Sequence, residues 1–272
     1  MIQELPTIQD VWHCLRILRA QAPLVHNITN YVVMEVTANA LLALGASPVM
    51  AHAHDEIEEI TGLSSALVLN IGTLSPGWVE AMHAALAAAR ARNIPVVIDP
   101  VGAGASRLRT ATALGLLEQS ETPLLRGNAS EILALAGEAG KTKGVDSTAS
   151  SDAALKAAET LALRFGCTVS VSGETDIVTD GRARCFIQGG STIMPRITGM
   201  GCSASALAGA FAAVCKGGGM LPLVAAMTVM AAAGSEAAAR AHGPGSFLPL
   251  FLDSLYSLDE AALERGAVIG RH

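Results

Sequence analysis

Pro95-Val96-Val97-Ile98-Asp99-Pro100-Val101-Gly102-Ala103-Gly104 is a short β-branched run, uncharged until it ends on an aspartate, that breaks into a proline- and glycine-containing turn. The residues that follow, Ser106 to Gln119, repeat apolar side chains at the 3.6-residue period of a helix. A strand apolar on both faces is covered on both faces, which is the situation of a strand in a parallel sheet flanked by helices.

The same alternation extends outward in both directions. Strands are expected at Ser47 to Ala51, Ala66 to Ile71, Pro95 to Asp99, Leu124 to Leu125 and Thr168 to Ser172. Helices are expected at Asn30 to Leu44, Pro76 to Arg92, Ser106 to Gln119 and Asp152 to Phe165, several of them opening on Ser, Asp or Asn at the cap position. Asp176 to Asp180 and Arg182 to Gln188, joined through Asp180-Gly181, read as a β-hairpin, and the last third reads as nearly all helix. Lys141 to Ser151 reads as a surface loop. No internal repeat or linker divides the chain, so one domain over residues 1–272 is expected.

Composition narrows the class. With 272 residues the chain can bury a large core without staples, and 51% hydrophobic but only 3% aromatic residues means that alanine and small aliphatics fill it. The 18 basic and 24 acidic side chains leave a net charge of −6, which argues against a dedicated nucleic-acid or anionic-membrane binder. A mean hydropathy of +0.43 raises the question of a membrane. Two uncharged stretches, Ile197 to Cys215 and Gly217 to Ser235, are long enough to span one, but they are built from Ala, Gly, Ser, Thr and Met, without aromatic flanks, and read as buried helices. No secretory signal is visible near the N-terminus. The five cysteines are scattered and lack a C-x-x-C pair, which fits buried thiols in a reducing cytoplasm.

In open α/β sheets ligands sit beyond the carboxyl ends of the strands. Asp99 stands at such an end, where its carboxylate either holds a metal or its water, or caps the next helix. Arg126-Gly127-Asn128-Ala129-Ser130-Glu131 brings a cation, an amide and a carboxylate to the next strand-to-helix junction, a combination suited to phosphate and metal. Thr198-Gly199-Met200-Gly201-Cys202 directly precedes an alanine-rich helix. Consecutive N–H groups there form an anion cradle, and a thiolate on Cys202 is expected to be favoured. The alternative is that these glycines merely allow close helix packing. Gly199-x-Gly201-x-x-Ala204 also satisfies the dinucleotide pattern, but late in the chain and with the next acid at Glu236. Gly140-Lys141-Thr142 resembles the tail of a phosphate loop with the wrong spacing. His52 and His54 read as solvated or as a substrate-edge contact rather than a metal pair. In His26-Asn27-Ile28-Thr29-Asn30, Thr29 or Asn30 is a candidate helix cap and Asn27 a candidate ligand contact.

Taken together, Val25-His26-Asn27-Ile28-Thr29-Asn30 with Ala38-Asn39, Gly45-Ala46-Ser47-Pro48-Val49-Met50, Ile98-Asp99-Pro100-Val101-Gly102-Ala103, Arg126 to Glu131, Thr198 to Cys202 and Gly243-Pro244-Gly245-Ser246-Phe247 resemble the hydroxyethylthiazole kinases, in order from Pro23 to Phe247. The resemblance implies a ribokinase-like three-layer sandwich, with a mostly parallel central sheet and helices on both faces. It implies a cytoplasmic enzyme of thiamine salvage that uses ATP and Mg2+ to phosphorylate the primary alcohol of 4-methyl-5-(2-hydroxyethyl)thiazole. Carried over by position, Cys202 is the catalytic base, and Met50, Gly199 and Asn27 face the thiazole. Arg126 and Ser172 meet ATP, Gly199, Met200 and Gly201 form the anion hole, and Asp99 and Glu131 organise the metal. Ser172 replaces the threonine usual in the family but keeps its hydroxyl. The resemblance also implies a homotrimer whose substrate pocket is completed across the subunit boundary.

Overall fold

The computed structural model describes residues 5–138, 147–215 and 218–270; Gly140-Lys141-Thr142, most of the Lys141 to Ser151 stretch and Lys216 lie outside them. The chain runs α1 (Ile8–Gln21), β1 (Leu24–Ile28), α2 (Met34–Leu44), β2 (Ser47–Val49), α3 (Ile57–Leu63), β3 (Ala66–Asn70), α4 (Pro76–Ala91), β4 (Val96–Asp99), α5 (Arg107–Gln119), β5 (Leu124–Asn128), α6 (Ala129–Leu135) and α7 (Ser147–Phe165). It continues through β6 (Thr168–Ser172), β7 (Thr175–Thr179), β8 (Arg184–Gly189), a 3₁₀ turn at Met194–Arg196, α8 (Met200–Val214), α9 (Leu221–Arg240), α10 (Pro244–Ser257), α11 (Glu260–Gly266) and β9 (Ala267–Gly270).

The strands form one sheet in the order β2-β1-β3-β4-β5-β6-β7-β8-β9. β1 to β6 are mutually parallel, and β7, β8 and β9 continue the sheet antiparallel. Apolar side chains alternate between the sheet's faces and split the interior in two. Val25, Val68 and Val97 join a core with α1, α2, α8, α9, α10 and α11. Ile28, Leu67, Leu69, Ile98 and Leu125 join a second core with α4, α5, α6 and α7. This is the expected three-layer arrangement.

Four expectations need correction. β1 was not anticipated, because His26 and Asn27 interrupt its apolar run; the fold accommodates His26 by hydrogen-bonding its imidazole to Thr61 Oγ1 at 3.1 Å and to the Ala51 carbonyl at 2.8 Å. Neither Thr29 nor Asn30 caps α2, which begins later, after Val33, without a side-chain cap. The expected loop up to Ser151 is already helical from Ser147. β5 also reaches Asn128, beyond Leu125, since Arg126 turns its head into the site described below. The Asp180-Gly181 hairpin is present, with Gly181 at φ +85° and the Asp180 carboxylate accepting from the Arg182 and Ala183 N–H groups.

Of the two uncharged stretches, the first contains α8 and the second the start of α9. α9 is long and apolar enough to cross a membrane, but 78% of its most apolar window is buried. It packs against α8, α10, α11 and β8, so its apolar surface has a protein lining.

Candidate active site

Strand register builds the site before any side chain is considered. Asn70 on β3 lies opposite Asp99 on β4, and Arg126 on β5 lies opposite Ser170 on β6. Ile98 pairs with Leu125, so Asp99 and Arg126 are also level. All four alternate onto the face that α8 covers, forming a polar row across the carboxyl ends of four adjacent strands. The N-terminus of α8 lies above this row.

The row is tightly hydrogen-bonded. Asn70 Nδ2 donates to Asp99 Oδ2 at 2.7 Å, and Ser205 Oγ, one turn into α8, donates to the same oxygen at 2.8 Å. The second carboxylate oxygen of Asp99 is buried without a partner. Burial pushes Asp99 up to about 6; Arg126 opposes the shift, Glu131 adds to it, and the two hydrogen bonds oppose it. A wholly buried carboxylate with one free oxygen is an unfilled demand for positive charge. The dinucleotide pattern lacks its context, since Gly199 follows the Met194–Arg196 turn and not a strand.

Arg126 Nη2 donates to Ser172 Oγ at 2.7 Å, and its Nε is buried without a partner. A Cβ on Gly201 would lie 2.7 Å from Arg126 Nη1, so the guanidinium occupies the space that glycine leaves. Gly199 caps α8 at φ +93°, where a side chain would also meet Val36 at 2.5 Å. Both glycines are therefore needed for shape, and the first-turn N–H groups of α8, which have no partner within the helix, add a positive helix end beside Arg126.

Glu131 is a cross-brace. Its Oε2 accepts from the Asn128 N–H at 2.8 Å, closing a capping box on α6, and its Oε1 accepts from the Gly102 N–H at 2.8 Å. It thus ties the turn after β4 to the turn after β5. Arg109 ties the turns after β3 and β4, donating to the carbonyls of Ile71, Val101 and Gly72 at 3.1, 2.6 and 2.6 Å.

Cys202 sits half-buried on the first turn of α8, with Asn30 Nδ2 donating to its sulfur at 3.6 Å. The same amide nitrogen donates to Asn70 Oδ1 at 2.9 Å, so Cys202, Asn30, Asn70 and Asp99 form one chain. The expectation of a favoured thiolate is reversed here. Burial, then the charge of Asp99, push Cys202 up to about 11, against the hydrogen bonds from Asn70 and Asn30 and the attraction of Arg126.

A cavity of about 860 Å³ opens beside the row. It brings together Arg126, Ser172, Gly199, Met200 and Gly201, with an apolar wall that includes Met194, Met227 and Met230. Asp176 also lines it; burial raises this carboxyl to about 6, opposed first by its bond from the Gly173 N–H and then by Arg126. Asp99 within the row, and Glu131 and Cys202 beside it, are not part of this cavity's lining. Asn27 is 1% exposed; its amide nitrogen donates to the Val25 carbonyl and its Oδ1 is buried without a partner. Met50 is half-buried beyond β2, at the far edge of the sheet, close to the His26-braced Ala51 carbonyl. His52 is exposed and packs against Trp78, with ring centroids 3.9 Å apart and the rings tilted by 31°. Among the described residues, no three His, Cys, Asp or Glu side chains cluster as a ready metal cage.

Asn70, Ser205 and Asp176 were not singled out from sequence. Asn70 had a readable signal, an amide ending an otherwise apolar strand at the same place as Asp99 in the next one. Ser205 and Asp176 had none, because their roles depend on tertiary neighbours.

The profile of the Hydroxyethylthiazole kinase family matches residues 15–261. A curated hydroxyethylthiazole kinase of Oleidesulfovibrio alaskensis is 56% identical over 261 residues, covering 96% of this chain and 98% of that one. The structure of a hydroxyethylthiazole kinase from Pyrococcus horikoshii superposes with a TM-score of 0.88 at 41% identity, over 96% of this chain and 98% of that one. A Bacillus subtilis pyridoxal kinase solved as an ADP complex shares the ribokinase-like fold alone, with a TM-score of 0.58 at 17% identity over 78% of this chain and 91% of that one. The polar row, the glycine-opened α8 and these likenesses agree: the chain belongs to the hydroxyethylthiazole kinase family.

Proposed function

We propose that this chain is a small-molecule kinase, folded as a single domain, that transfers the γ-phosphoryl group of ATP to the primary alcohol of 4-methyl-5-(2-hydroxyethyl)thiazole. The observation that carries this reading is the row Asn70, Asp99, Arg126 and Ser170 under the N-terminus of α8, beside a cavity large enough for a nucleotide. Phosphoryl transfer passes through a loose transition state, so positioning and charge neutralisation dominate the rate. Arg126, held by Ser172, meets the nucleotide phosphates, and the Gly199, Met200 and Gly201 backbone offers N–H groups to the transferring oxygens. Met194, Met227 and Met230 pack against the base.

The free oxygen of Asp99 fits a divalent cation. Asp99 would hold Mg2+, with Glu131 bracing the adjoining turns; the ion would supply charge neutralisation for the nucleotide phosphates. The thiazole lies on the β1–β2 side, against Gly199 and toward Met50. The thiolate form of Cys202, its sulfur held by Asn30, takes the hydroxyl proton as that oxygen attacks phosphorus and ADP departs. With the thiol pushed up to about 11 the thiolate is a minor species near neutral pH, so the base contributes less to the rate than positioning does. A homotrimer with Met50 near a subunit boundary fits the edge position of β2.

The test is a coupled assay of ADP release with the thiazole alcohol, ATP and Mg2+, run beside a pyrimidine alcohol and ribose. Preference in kcat/KM for the thiazole alcohol is expected; turnover of ribose or the pyrimidine alcohol in its place would overturn the substrate assignment.

A further inference from the structure

Cys14 on α1 and Cys215 at the C-terminal cap of α8 are 201 residues apart in sequence, yet their sulfurs lie 2.9 Å apart. Both are buried, at 4% and 6% exposure. The Cys215 S–H donates to Cys14 Sγ, and this bond draws Cys14 below the usual thiol range, while the same bond and burial push Cys215 up. The pair plays no part in the chemistry above. α8 spans 15 residues, which places Cys215 about 20 Å from the cradle at the helix's other end.

Burial does not isolate the pair. Cys215 lines a second cavity of about 580 Å³, formed by Ile94, Pro95, Pro123, Gly166 and Thr168 around the amino ends of β4, β5 and β6. A small disulfide can enter there, on the end of the sheet opposite the active site. The sulfurs then need to approach by about 0.9 Å to bond, a shift within the give of packed helices.

We propose that Cys14 and Cys215 form a dithiol site that small-molecule disulfides convert to an intramolecular disulfide. Cys215 hands its proton to the Cys14 thiolate across the 2.9 Å contact and attacks one sulfur of the incoming disulfide, forming a mixed disulfide and expelling one small-molecule thiolate, which takes that proton back from Cys14. The Cys14 thiolate then attacks Sγ of Cys215; the second small-molecule sulfur leaves and takes up the proton that Cys14 gave to solvent on ionising. The protein loses two hydrogens and two electrons, and the disulfide reagent gains them. The cross-link closes a loop of about 200 residues and constrains the unfolded chain accordingly.

The experiment treats the reduced full-length protein with excess oxidised glutathione, blocks remaining thiols with iodoacetamide in denaturant, and maps the digest without reduction. The expected product joins the Cys14 and Cys215 peptides, leaves Cys167 and Cys185 alkylated, and melts roughly 5–10 °C above the reduced protein. Alkylation of both Cys14 and Cys215 after prolonged oxidation, or linkage of either to another cysteine, overturns the proposal on the wild-type chain. In Cys14→Ser the oxidant should produce neither cross-link nor melting shift; a shift of the same size there overturns the stabilising role.

Discussion

Gly201→Ala separates function from stability in one atom. Within a helix, alanine is favoured over glycine by about 1 kcal/mol, so the substitution should leave α8 intact or strengthen it. The new Cβ, however, would sit 2.7 Å from Arg126 Nη1, and 3.5 Å from the guanidinium carbon and its other terminal nitrogen. An ordinary contact needs the first atom to withdraw by about 0.7–1 Å. Arg126 can yield, since its head borders the 860 Å³ cavity, but yielding strains its 2.7 Å bond to Ser172. A misplacement of about 1 Å in a positioning group costs on the order of 10²-fold in rate. The expected result is a kcat/KM for ATP reduced roughly 10²-fold, with a melting temperature within about 3 °C of wild type. Coupled ADP release and thermal melting measure both quantities on the same sample. Wild-type kinetics in Gly201→Ala would refute the claim that this glycine exists to seat the guanidinium.

Cys202→Ala should lose about 10²- to 10⁴-fold in kcat, the range of a general base, while Cys202→Asp should stay active; an unchanged kcat in the alanine variant would remove Cys202 from the proton transfer. Asp99 is raised from 3.8 to about 6 by burial, so the folded chain binds its proton more tightly than the unfolded one, and its contribution to stability falls as pH rises from about 4 to 6. Asp99→Asn should therefore be more stable than wild type at pH 8, by about 1–2 kcal/mol after allowing for one unpaired amide, fall below it by about 1 kcal/mol at pH 4, where the charge penalty is gone and the amide cost remains, and lose activity; a variant less stable than wild type at pH 8 would contradict the buried-charge account. Glu131→Gln exchanges one of two acceptors for a donor facing the Gly102 or Asn128 N–H, and should cost about 1–2 kcal/mol through the cap and raise the Mg2+ concentration needed for half-maximal activity. An unaltered Mg2+ titration would argue against its part in the metal site.

The elements were legible to different degrees for identifiable reasons. β4, β6 and α4 lie within a residue or so of expectation because apolar runs, a serine cap and a following proline act within a few residues. β1 was hidden by His26, whose polarity is answered by Thr61 and Ala51, one of them 35 residues away. The start of α2 was misplaced because Asn30, which looks like a cap, is drawn off to Asn70. Of the site, Asp99, Arg126 and the Gly199 to Cys202 segment stood out as polar or glycine-rich interruptions at the ends of apolar runs. The electrostatics of Cys202 did not: a helix N-terminus favours a thiolate, but burial and Asp99 outweigh it.

Sequence alone determined the alternation of strand and helix, the carboxylate and guanidinium ending successive strands, and the glycine-opened helix after them. These follow from backbone propensity and periodicity, which act over a turn or a pleat. Tertiary structure alone decided that Asn70, Asp99, Arg126 and Ser170 share one level, that Arg126 fills the space above Gly201, and that Cys14 meets Cys215 across 201 residues. Register, burial and charge coupling depend on groups far apart in the chain, and they take values only once the sheet has closed beneath α8.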